Sequence, residues 1–171
     1  MNSTMNSWRK QKKLVFAVTL VGLVSCANRP AIPPEYTGPV ATIQETAVRV
    51  DQGKAQMFYL SKIDGVYMRD NSASRSFLRS SGKGNNLTIV DSPYDVPAQQ
   101  HVFTIQGGHV WAMDGRGILE ADLTVTGDIE FEPKEGNTYL INGSLSEEES
   151  VVWIKEQSTG EIIAEFRKQD P

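Results

Sequence analysis

One cysteine and two histidines in 171 residues leave this chain little redox or soft metal-ligating chemistry. The lone Cys26 has no partner for a disulfide within the chain. His101 and His109, even joined by Asp114, lack HxH or HExxH spacing, and a zinc ion normally takes more protein ligands than they offer. No metal or other cofactor is therefore expected. No Gly-x-Ser-x-Gly elbow occurs. Carboxylates are plentiful, but no pair marks itself as the acid and base that a glycosidase holds about 5–9.5 Å apart. No catalytic residue is expected. Basic residues are outnumbered, 17 Lys and Arg against 21 Asp and Glu, so the footprint that a nucleic acid requires is missing. Long apolar runs are missing after residue 24, and so is any convincing 3.6-residue periodicity over ten or more residues.

What is present begins at the N-terminus. Arg9, Lys10, Lys12 and Lys13 precede an almost purely apolar run, LVFAVTLVGLV, at residues 14–24. A basic region, a short apolar region and a small residue before a cut are the parts of a secretory signal. Eleven helical residues cover only about 16 Å, against a hydrocarbon core of about 30 Å, so this run does not span a bilayer. Leu23-Val24-Ser25-Cys26 resembles the lipobox of bacterial lipoprotein precursors. That resemblance implies cleavage before Cys26, a diacylglyceryl thioether on its sulfur and an added N-acyl chain such as palmitate. Several chains together hold a protein stably at a membrane where one does not. Ala27 stands where a retention signal resembling that of inner-membrane lipoproteins would place Asp, which implies the outer membrane. Loss of residues 1–25 removes four positive charges and moves the net charge from −4 to −8.

The next stretch, residues 26–39, carries Pro30, Pro33, Pro34 and Pro39. Proline fixes φ and removes a donor, so the segment reads as a tether reaching at most ~40 Å at roughly 3.1 Å per residue. From residue 40 to 171 the pattern is that of strands broken by turn residues, and about eight or nine are expected. The first is placed at 40–50. Asp64-Gly65 predicts a type I′ hairpin between strands at 54–63 and 66–69. Residues 71–86, NSASRSFLRSSGKGNN, read as a long polar loop. Short strands follow at 87–90, 101–106 and 110–113. Residues 119–132 alternate apolar and polar throughout, which puts one face on a core and one in water. That parity excludes a two-residue turn at Gly127-Asp128, so the strand should run through it. A strand at 138–142, a polar loop holding Glu147, Glu148 and Glu149, and a hairpin of 151–155 with 161–167 complete the pass. Together they predict an all-β, single antiparallel sandwich with Phe58, Phe103, Phe131, Tyr139 and Trp153 turned inward.

Lys62-Ile63-Asp64-Gly65, Gly82-Lys83-Gly84, Val96-Pro97-Ala98, Gly127 through Phe131, Gly136-Asn137-Thr138-Tyr139 and Val152-Trp153-Ile154 carry a further likeness. With the lipobox, they resemble small proteobacterial outer-membrane lipoproteins with an Ig-like or transthyretin-like sandwich. The layout of residues 96–139 is similar to surface-layer-type modules of the PEGA class. The resemblance implies a fold and supplies no catalytic residue.

The expected role is binding. Arg75, Arg79 and Lys83 lie in a stretch without an acid and form the candidate site for an anionic glycan or a lipid phosphate, since guanidinium donates bidentate hydrogen bonds. Trp111 is a candidate for stacking on a sugar. Residues 120–170 hold four basic and thirteen acidic side chains, a solvated face that would also suit a cationic partner. The expected protein is a lipid-anchored, non-enzymatic envelope module whose partner is an envelope protein or glycan. The alternatives are an inhibitor of a lysozyme-type envelope hydrolase, a glycan-active envelope enzyme, or a carrier with a ligand cavity inside the sandwich.

Overall fold

A computed structural model of the chain describes residues 32–91, 93–112 and 123–169. The signal segment, Cys26, the first part of the tether, the turn at Asp114-Gly115-Arg116-Gly117 and the start of the 119–132 strand lie outside them. The described end of the tether closes a turn, with Tyr36 N–H donating to Pro33 C=O at 2.9 Å and Tyr36 Oη to Pro39 C=O at 2.8 Å.

Ten strands and one helix follow among the described residues: β1 (Val40–Gln44), β2 (Thr46–Asp51), β3 (Lys54–Ile63), β4 (Val66–Tyr67), α1 (Ser72–Ser80), β5 (Tyr94–Pro97), β6 (His101–Trp111), β7 (Val125–Phe131), β8 (Thr138–Leu145), β9 (Glu149–Glu156) and β10 (Ile162–Gln169). One sheet runs β10-β9-β8-β1-β5 and the other β2-β3-β6-β7, with β4 paired to β3. The all-β sandwich expected from strand spacing is the fold. One pairing departs from the antiparallel rule: β1 lies parallel to β8, with Ile43 opposite Tyr139.

The two sheets meet over Ile43, Phe58, Leu60, Phe103, Ile105, Ile141 and Ile154, each fully buried. β7 alternates buried and exposed at every residue, and it passes straight through Gly127 as the parity requires. A side chain at Gly127 would collide with the Phe166 ring of β10, so glycine is what lets the two edge strands close on each other. Asp64 and Gly65 take φ of 49° and 77°, the left-handed values of a type I′ turn, and β3–β4 is the expected hairpin.

Five expectations need correction. The 40–50 strand is two strands in different sheets, divided at Glu45. The 101–106 and 110–113 strands are one, because Gly107 does not break β6: it lies beneath Phe58, whose ring would stand 3.0 Å from any Cβ there. Residues 87–90 make no ladder, and residues 72–80 are a helix, for a shared reason given below. Trp153 is only half-buried, since Val152 and Ile154 take the inward positions of β9 and leave it the opposite face.

Candidate functional site

Glu45 sits where the chain leaves one sheet for the other. A residue here cannot join either ladder, yet it is only 3% exposed. Its carboxylate substitutes for the absent strand. One oxygen accepts the Leu60 N–H at 2.7 Å, just beyond the last β2–β3 pair, Thr46 opposite Phe58. The other accepts the N–H of Ser72, the first residue of α1. Beside it, Thr46 Oγ1 donates to Ile141 C=O of β8 at 2.6 Å. One side chain thus joins the corner strand, β3 and a helix N-terminus, whose unpaired N–H groups favour negative charge. Burial pushes the Glu45 carboxyl from its ordinary 4.5 up to about 7; the two N–H donors oppose that rise and the charge of Asp91 adds to it.

Helix α1 starts at Asn71, whose Oδ1 accepts the Ser74 N–H at 2.9 Å and caps it. Its inward face is made of three serines and Ala73. Ser72, Ser76 and Ser80 are buried at four-residue spacing. Ser76 Oγ accepts the Val90 N–H and Ser80 Oγ the Thr88 N–H, each at 2.8 Å, while Ser80 Oγ donates back to Ser76 C=O at 2.7 Å. Alternate N–H groups of the extended 87–90 segment are therefore met by hydroxyls and not by a neighbouring strand. This accounts for both the helix and the missing ladder. Beneath them Ala55, Met57, Ala73, Leu87 and Ala112 form a second apolar cluster on the outer face of the β2-β3-β6-β7 sheet.

The outward face of α1 reverses the usual pattern. Leu78 is 70% exposed and Phe77 42%. Arg75 and Arg79, one helical turn apart, lie on the same side of the helix. Arg75 Nε is 3.8 Å from Asp70, and Lys83, just past the helix end, donates to Thr88 Oγ1 at 3.2 Å. The three cations of the sequence reading thus come together along one helix and its exit, with an apolar pair beside them. Nothing in the sequence announced that pair as exposed.

A pocket of about 290 Å3 opens between the β1–β2 corner and the segment beside α1. Glu45, Ser72, Gln44 and Asp91 face Ala47, Met57 and Ile89 across it. Gln44 Nε2 donates to Asp91 at 3.1 Å. Ser72 Oγ lies against the Glu45 carboxylate without a hydrogen bond of normal geometry.

The remaining candidates are placed as follows. His101, 5% exposed, sets Nδ1 2.7 Å from Asp64 Oδ2, while its buried Nε2 meets no hydrogen-bond partner among the described residues. Asp64 Oδ1 also accepts the Val102 N–H at 2.9 Å. Burial works against the charge of Asp64, but the Val102 N–H and the His101 ring outweigh it and hold the carboxyl below its ordinary value. This pair locks the β3–β4 turn onto β6. Trp111 is half-buried, with Lys54 Nζ over its ring at 5.5 Å and His109 edge-on at 5.5 Å. Among the described residues no group of three or more His, Cys, Asp or Glu could hold a metal ion, and no helix is long and apolar enough to cross a membrane.

These features define an all-β sandwich that carries a serine-seated helix on one outer face. No protein-family profile, curated protein or solved structure matches the chain.

Proposed function

We propose that this chain is a lipoprotein of the bacterial cell envelope, acylated at Cys26 and held at the outer membrane, whose sandwich is a non-enzymatic binding module. The lipobox at residues 23–26 and the proline-rich stretch behind it support the anchor. The observation that carries the binding role is the outward face of α1. An exposed Leu and Phe beside Arg75, Arg79 and Lys83 form a surface suited to a partner that is both apolar and anionic. The partner class is an envelope component bearing phosphate or carboxylate.

Three measurements test this reading. A Cys26→Ala chain is expected in the soluble fraction while the wild type pellets with membranes; equal partitioning contradicts the anchor. Capture of envelope components on the acylated protein is expected to weaken on reversal of Arg75 and Arg79 to Glu. Turnover of a cell-wall substrate by the purified protein contradicts a binding role.

A further inference from the structure

The geometry of α1 points to its partner: we propose that Leu78 and Phe77 insert into the interface of an anionic bilayer, with Arg75, Arg79 and Lys83 on the lipid phosphates, so that the head lies down on its own membrane. The inference rests on the proposed anchor, which brings that surface within reach.

At 100° per residue, Leu78 stands opposite the buried Ser72–Ser76–Ser80 face, at the apex of the helix. Phe77 flanks it on one side. Arg75 and Arg79 flank it on the other, where long side chains can keep their charge at headgroup level while their stems follow the apolar apex. The serine seat explains how such a helix is held without spending its apolar residues on the core. Hydroxyls fasten the inner face, which leaves Phe77 and Leu78 outside.

Charge is sided in a way that fits. Most of the described acidic excess of residues 120–170 lies in and around β8 to β10 of the other sheet, whereas α1 packs on β3 and β6; Asp128 and Glu130 of β7 are the exception, on the outer face of the helix's own sheet. An anionic surface therefore attracts the cations of α1 and repels the sheet of β8 to β10. Two apolar residues and three cations make a weak site by themselves. With the end of the tether closed in the Pro33–Tyr36 turn, the seven residues from 26 to 32 reach at most ~20 Å at roughly 3.1 Å per residue, which raises the local concentration of the surface to the order of millimolar, where a weak site is occupied.

The test uses the acylated protein with Leu78→Cys and a nitroxide on the new thiol, set in vesicles. With phosphatidylglycerol present, the label is expected to lose collisions with a water-soluble relaxant and gain them with oxygen. A label at Thr159→Cys, on the β9–β10 turn, should remain in water. Arg75→Glu with Arg79→Glu, or vesicles of phosphatidylcholine alone, should return the label at 78 to water. A label at 78 as wet as that at 159 overturns the inference, as does burial that ignores charge or shielding that appears only when an envelope protein is added. Thiol counting separates the two claims. One label per chain is what acylation of Cys26 requires, and two overturn the anchor. In that event the Cys26→Ser chain still decides the α1 inference by co-sedimentation with the same vesicles. Reversal of both arginines should then weaken binding at least about 25-fold, from roughly fivefold per cation, and an unchanged affinity refutes the site.

Discussion

Replacing Glu45 with glutamine removes a proton-binding site from the most heavily used corner of the fold. Glu45 is 3% exposed, and burial raises its carboxyl from 4.5 to about 7 in the folded chain. A group whose folded value is raised binds its proton more tightly when folded. Its stabilising share is therefore complete below 4.5 and is lost as pH climbs through 7. The difference amounts to roughly 3 kcal/mol at about 1.36 kcal/mol per pH unit, and roughly 2–3 kcal/mol of it falls between pH 5 and pH 8. Glutamine keeps one acceptor but sets an N–H2 against the Leu60 or Ser72 N–H, which should cost about 1–3 kcal/mol at any pH. Urea unfolding of both chains at pH 5 and pH 8 separates the two effects, because every other titrating group is shared. Wild type should lead Glu45→Gln by roughly 2–3 kcal/mol more at pH 5 than at pH 8, with equal m-values. A constant gap across that range refutes the buried-acid account, and a gap that widens toward pH 8 reverses its sign.

Other substitutions probe the remaining joints. Gly127→Ala should destabilise by about 1–3 kcal/mol in thermal or urea unfolding through collision with Phe166, and Phe166→Ala in the same chain should recover part of that loss. Ser76→Ala leaves the Val90 N–H without its acceptor, so stability should fall by about 1–3 kcal/mol and exchange of the Val90 amide should accelerate. Asp64→Ala removes the acceptor of the Val102 N–H and the His101 partner. It should quicken Val102 amide exchange and lower stability at neutral pH. Because the Asp64 carboxyl is held below its ordinary value, the wild-type advantage should be present at neutral pH and fade as the solution is acidified through the folded value.

The sequence was legible where one local rule decided the outcome. Asp64-Gly65 specified its turn because only a few residues accept positive φ, and the alternation through Gly127 specified both strand and face because a slip of one residue would expose the core. It was opaque where side chains reversed their ordinary sides. Serines that pair with a neighbouring backbone look like a loop, and a Leu and Phe that face water give the helical pattern no inward stripe, so 72–80 hid its helix. Glu45 passed as one more residue of a single long strand at 40–50, because its pairing with Leu60 and Ser72 is made across the fold. The candidate cations were found from charge alone; what joins them needed the helix. Phe77 and Leu78 could have been found only by reading Ser72, Ser76 and Ser80 as an inward face.

The central claim is that a lipid on Cys26 holds this sandwich at a membrane, and intact-mass and peptide mass spectrometry of the protein purified from cell envelopes tests it most directly. A mature chain that starts at Cys26 and carries a diacylglyceryl group with an added N-acyl chain is the predicted result. A chain with an unmodified Cys26 thiol contradicts it.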